Sequence, residues 1–141
     1  MQGHAFLGKY QEPPQPFVYG FRGRMDERYD LARSVTDGRY VFVRNYLPHR
    51  IYGQHVAYMF ETPTTRVWKK LHDEGKLNAV QDRFWGPKPP EELYDLTADP
   101  NELKNLAADP AHAEALDDLR GKLAAWRKQT ADPWLIKDVH E

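Results

Sequence analysis

Between Phe17 and Arg50 the chain carries seven arginines and no lysine: Arg22, Arg24, Arg28, Arg33, Arg39, Arg44 and Arg50. A guanidinium is a planar fork that pairs bidentately with carboxylate, sulfate or phosphate. A group of them can make a contact surface for an oxyanion or an anionic sugar. They can also pair internally, because Asp26, Glu27 and Asp30 lie in the same segment. Most of the seven are read that way, as structural ion pairs. Arg22 and Arg24 are the exceptions and stand as the candidate substrate-binding residues.

Other chemistry is sparse. His49 and His55 lie six apart around Pro48 and Gly53, but no carboxylate or thiolate completes a metal set around them. They are read as solvent-facing or structurally bonded, and no metal ligand is assigned. The acidic run Asp95 to Glu102 lacks the glycine and the spacing of a Ca²⁺ loop. It reads as a turn. Ser34 is the only serine and has no Gly-x-Ser-x-Gly elbow around it. With no cysteine in the chain, disulfides, thiolate metal sites and cysteine nucleophiles are excluded. No catalytic residue is assigned.

The elements that must position these groups follow from local pattern. Residues 1–16 hold Gly3, Gly8, Pro13, Pro14 and Pro16 and read as an extended lead-in. Residues 17–21 form a short apolar strand, and the charged run from Arg22 to Asp30 a loop or exposed edge. Asp37-Gly38 between β-rich runs predicts a hairpin over 33–46 with a type I′ turn. Its second strand is bulky on both faces, with Val41 and Val43 on one and Tyr40 and Phe42 on the other, and should lie inside a sheet. A helix is expected from Thr64 to the Gly75 stop, with Val67, Trp68 and Leu71 on its apolar face. A last short strand covers 92–96. A helix over 110–129 is capped by Asp109-Pro110 and carries Leu116, Leu119, Leu123 and Trp126 as one stripe.

The chain has 141 residues, enough for one domain, and its 40% hydrophobic content permits a packed core. Net charge is −1, so no nucleic-acid footprint is present. The charge is uneven: residues 1–60 carry eight basic and five acidic side chains, residues 61–141 twelve and sixteen. No apolar run approaches the roughly 18 residues of a membrane span, and no membrane partner is expected. No leader pattern is visible at the N-terminus, and the sequence assigns no compartment.

The run from Pro90 to Ala107 contains Glu92-Leu93-Tyr94-Asp95-Leu96, then Asp99-Pro100-Asn101-Glu102, then Asn105-Leu106-Ala107, and is followed by the amphipathic helix reaching Trp126. In that order it resembles the C-terminal signature of the type I sulfatases, of the alkaline-phosphatase-like superfamily. The segment Arg39-Tyr40-Val41-Phe42-Val43-Arg44-Asn45-Tyr46 resembles that family's hairpin. Arg24-Met25-Asp26-Glu27 and Asn45-Tyr46-Leu47-Pro48 resemble a bacterial branch related to heparan N-sulfatases, the sulfamidases. The resemblance runs from about Gly3 to Thr130.

The resemblance implies an α+β fold, a small antiparallel sheet with a packed C-terminal α-helix. Residues 1–30 would be the tail end of the large domain, 31–130 the C-terminal subdomain and 131–141 a tail. It also implies a parent that hydrolyses a sulfate ester or sulfamate on a sugar or aryl group, using formylglycine and Ca²⁺. The family's Cys/Ser-x-Pro-x-Arg motif is absent here. The chain alone is therefore expected to be inactive and to need no cofactor. Its expected role is domain closure and substrate contact, its partners a sulfated substrate, an upstream sulfatase domain or further copies of itself. The alternative is a non-enzymatic module that binds anionic glycans or a partner protein through its Arg-rich face.

Overall fold

In the computed structural model, residues 4–25 and 27–133 are described. Four strands, β1 (Val18–Met25), β2 (Arg28–Thr36), β3 (Tyr40–Asn45) and β4 (Glu91–Asp95), form one antiparallel sheet in the order β1-β2-β3-β4. Three α-helices accompany it: α1 (Pro63–Asp73), α2 (Ala79–Asp82) and α3 (Ala113–Gln129). The mixed α+β class is as the sequence reads.

The core lies between one sheet face and α3. Val35, Phe42 and Leu93 come from three successive strands, and Leu116, Leu119 and Leu123 from the helix, with Leu106 closing one end. Side chains two apart on a strand share a face, and those three, four and seven apart on a helix share a stripe. That is why these positions meet. Trp126 ends the stripe half-buried, stacked on Tyr19 of β1 at 4.9 Å between ring centroids. Phe17 and Tyr19 thus pack on the core, whereas Val18 and Phe21 of the same apolar run are exposed.

Several local expectations need correction. The charged run from Arg22 to Asp30 is mostly strand, because β1 and β2 pair from Val18↔Thr36 to Met25↔Arg28. The register shifts between Arg22 and Arg24, so Asp30 and Leu31 together stand opposite Gly23. This β-bulge accommodates two buried neighbours, one charged and one apolar. The β2–β3 turn is not type I′. Only Gly38 has positive φ, at 94°, and the Asp37 carboxylate accepts from Arg39 N and Tyr40 N at 2.8 and 2.7 Å. Aspartate's own side chain supplies the turn's hydrogen bonds, so its backbone does not need the left-handed region. Helix α1 starts with Thr62 at the N-cap position and Pro63 inside, not at Thr64. The last helix opens with a 3₁₀ turn, Pro110–His112, before α3 begins.

The edge of β4 is covered by Asn105. Its Oδ1 accepts from Leu93 N at 2.9 Å, its Nδ2 donates to the carbonyl of Glu91 at 3.0 Å, and Leu106 N bonds the Leu93 carbonyl at 2.8 Å. Between β3 and β4 the chain leaves the sheet for residues 46–90 and builds an aromatic knot. Trp68 stacks on Phe84 at 4.6 Å, and Trp85 meets both edge-on. Gly53 touches this knot: a Cβ there would lie 2.5 Å from the Phe84 ring, so only glycine lets the two segments close.

Candidate functional site: a cleft on the sheet face opposite α3

The arginines separate by strand and face. Arg33, Arg39 and Arg44 pair with Asp132, Asp95 and Glu91, far along the chain, and not with the acids of their own segment. Antiparallel pairing carries them there: β3 runs beside β4, placing Tyr40↔Asp95 and Arg44↔Glu91 opposite each other. Arg28 and Arg50 donate to the carbonyls of His55 and Tyr29. Glu27 accepts from Ala57 N at 2.9 Å, while Asp26 lies outside the described residues. Asp30 keeps a local partner, Arg22, at 3.4 Å, and is also bound by the buried Lys88.

The internal pairs set acid sensitivity. Arg39's hydrogen bond holds Asp95 down at about 2, against 3.8 for the free group, aided by Thr97 N and Ala98 N. Arg120's hydrogen bond lowers Glu91. Both folded carboxyls bind protons more weakly than the unfolded chain does. Their stabilisation is therefore whole above about pH 5, past both free values, and is lost as pH falls, for Asp95 down to about 2. Denaturant melts across an acid series should show a falling midpoint in that window, and Arg39→Ala should flatten part of the slope.

A cleft of about 410 Å³ opens on the sheet face opposite α3, lined among others by Arg22, Tyr52, Trp68, Arg83, Glu92 and Tyr94. Arg22 comes from β1, and its side chain is half-exposed. Glu92 and Tyr94 come from β4, two residues apart and hence on one face. Tyr52, Trp68 and Arg83 come from the 46–90 excursion. Arg83 anchors one wall, its Nη1 donating to the Glu102 carbonyl at 2.9 Å and its Nη2 to that of Leu103.

The floor is buried and polar. Glu92 Oε1 accepts from Asn45 Nδ2 and Oε2 from the Tyr94 hydroxyl, both at 2.5 Å. Asn45 Nδ2 also donates to the Pro89 carbonyl at 2.8 Å. Lys88 lies over the Tyr52 ring at 5.8 Å. Burial first, and then Glu92, push the Tyr52 and Tyr94 phenols above the usual range, so both remain protonated.

Of the two sequence-predicted site residues, Arg22 lines this cleft. Arg24 is not among its lining residues and lies over the Tyr29 ring at 5.6 Å. His49 and His55 are exposed, and the His55 ring stacks on Phe60 at 4.4 Å. Among the described residues no three His, Cys, Asp or Glu side chains converge as a metal site. Sequence reasoning missed Tyr52, Glu92 and Tyr94. The alternation of Glu92 and Tyr94 around Leu93 was the available signal.

This arrangement, a four-stranded antiparallel sheet with a helix on one face and an arginine-bearing cleft on the other, has sulfatase relatives. No family model matches the chain. The ulvan-active sulfatase of Formosa agariphila is 39% identical over 133 residues, which cover 94% of this chain. The human N-sulphoglucosamine sulphohydrolase is 52% identical over 44 residues, 31% of this chain. The chain spans 22% and 9% of the lengths of these two relatives. In fold it is similar to a crystal structure assigned as a sulfatase of Bacteroides thetaiotaomicron VPI-5482, with TM-score 0.52 and 22% identity, covering 88% of this chain and 18% of that one. It is similar too to BT1596, a 2-O GAG sulfatase, with TM-score 0.51 and 20% identity over the same shares. The chain is a sulfatase-related region, matching the C-terminal part that its motifs resemble.

Proposed function

We propose that the chain works as the C-terminal region of a sulfatase, closing against the large domain and contacting a sulfated sugar or aryl sulfate through the cleft beside Arg22. The observation that carries this reading is the half-exposed Arg22 side chain at the cleft, in a chain whose relatives are sulfatases several times longer. Asp30 is already neutralised by Lys88, so Arg22 keeps charge for an incoming anion. Sulfate-ester hydrolysis would be performed by groups outside this chain. Its own residues do not fit a formylglycine and Ca²⁺ centre: there is no cysteine, Ser34 lies within β2 opposite Gly20, and among the described residues no three His, Cys, Asp or Glu side chains converge. No step of the reaction is assigned to them.

Two results are expected. A methyl glucoside carrying one sulfate should shift the amide resonances of cleft residues, and Arg22→Ala should abolish the shifts. The purified chain should turn over no chromogenic sulfate ester, with or without Ca²⁺. Turnover above a buffer blank, or ligand shifts unaffected by Arg22→Ala, would overturn the reading.

The surface for the large domain is read from the bare edge of the sheet. Among the described residues β1 is paired on one side only, and its Val18 and Phe21 are 60% and 78% exposed. Open apolar edges associate. Sedimentation of the chain by itself should therefore show concentration-dependent association. A monomer across the whole concentration series, binding no hydrophobic dye, would contradict it.

A further inference from the structure

The floor of the cleft carries a polarity that the anion contact alone does not use. Tyr94 and Glu92 project from the same face of β4, and Glu92 is almost wholly buried. The single proton of the Tyr94 hydroxyl is committed to Glu92 Oε2 at 2.5 Å, and the other carboxylate oxygen is taken by Asn45. A phenol has one proton to donate and two lone pairs. With its proton turned into the floor, the Tyr94 oxygen can only accept from whatever enters the cleft. Burial and the neighbouring carboxylate keep that phenol protonated, so the proton that ties the hydroxyl to Glu92 stays in place at ordinary pH. Tyr52, also lining the cleft, is held protonated by the same two causes.

We propose that Tyr94, oriented by Glu92, is a specificity residue: an obligate hydrogen-bond acceptor that selects ligands presenting a hydroxyl or N–H donor beside their anionic group. Glu92 is the positioning residue and touches no ligand. The proposal rests on the reading of the cleft given above and adds to it which neighbour of the anion is recognised. A buried acceptor left without a donor loses its hydrogen bond to water and gains nothing in return, which disfavours a ligand unable to donate.

The test compares three probes by amide chemical shifts: a methyl glucoside carrying one sulfate, the same compound with its free hydroxyls methylated, and sodium sulfate. The wild-type chain should prefer the hydroxyl form over the methylated one by about tenfold. In Tyr94→Phe the ring remains and the acceptor is gone, so the preference should fall to near unity. In Glu92→Gln the amide nitrogen can donate to the phenol oxygen and release the phenol proton toward the cleft. The methylated sugar then becomes an acceptable partner, and its affinity should rise above the wild-type value. If Glu92→Gln does not fold, Tyr94→Phe decides by itself. A preference undiminished in Tyr94→Phe reports methyl bulk or the Tyr52 oxygen and overturns the proposal. Equal binding of both sugars to the wild-type chain also overturns it, while the anion reading stands. Binding of none of the three probes fails both, and is recognised by the absence of any shift.

Discussion

Replacing Asp132 with Asn is expected to lower folding stability by about 3–5 kcal/mol. Asp132 is 7% exposed and sits just past the end of α3. It receives Arg33 bidentately, Nε on Oδ2 and Nη2 on Oδ1, both at 2.9 Å, and Arg127 Nε on Oδ2 at 3.0 Å. Arg33 and Arg127 are themselves 4% and 7% exposed. Removing the carboxylate charge leaves two guanidiniums in a poorly solvated place, facing each other without their shared anion. The loss reflects the removal of a buried carboxylate shared by two buried guanidiniums more than any intrinsic worth of the ion pair. Urea unfolding of the variant and the parent measures it. A change below about 1 kcal/mol, the scale of an exposed pair, would mean that water reaches this cluster. Asp73→Asn, which breaks the exposed Lys69–Asp73 pair on α1, is the reference for that scale.

Leu93→Ala should cost about 2–5 kcal/mol. Leu93 has no exposed surface, pairs with Phe42 across the β3–β4 ladder, and belongs to the cluster that includes Leu119 and Leu106. Truncation removes three heavy atoms from the middle of the sheet–helix sandwich. The walls are strand on one side and helix on the other, so collapse into the space is restricted. The same urea experiment reads the effect. A loss well under 1 kcal/mol would place α3 off the sheet.

The legible parts of the fold were those with a strong period. The stripe through Leu116, Leu119 and Leu123 marked α3, and the bulky run from Tyr40 to Val43 marked an inner strand. The sequence shortens β1 to 17–21, because Arg22, Gly23 and Arg24 break any apolar alternation. An edge strand that lends one face to a polar cleft has no need of alternation. The helix end at 129 is legible in the sequence, but nothing there ties Asp132, just beyond it, to Arg33 on β2. The helix closes with Ala131 at φ 48°, and Ala131 N and Asp132 N return to the carbonyls of Lys128 and Arg127. That turn usually advertises itself with glycine, and here alanine occupies it. The cleft was legible only through Arg22. Tyr52 lies within the 46–90 excursion and Tyr94 on β4 beyond it, and no spacing rule brings them together.

The 46–90 excursion also bears on how the chain reaches this structure. β1, β2 and β3 are joined by short turns and can pair as soon as neighbouring residues meet. β4 can dock on β3 only after the whole excursion has been looped out, and the entropy of that closure is lost before the β3–β4 ladder returns anything. Compaction of the excursion around Trp68, Phe84 and Trp85 shortens the effective loop, and Gly53, held to the Phe84 carbonyl through its N–H at 2.7 Å, ties it near its base. The aromatic knot is thus expected to govern how fast the sheet is completed. A substitution there that leaves the final contacts of β4 untouched would still slow the arrival of the fourth strand.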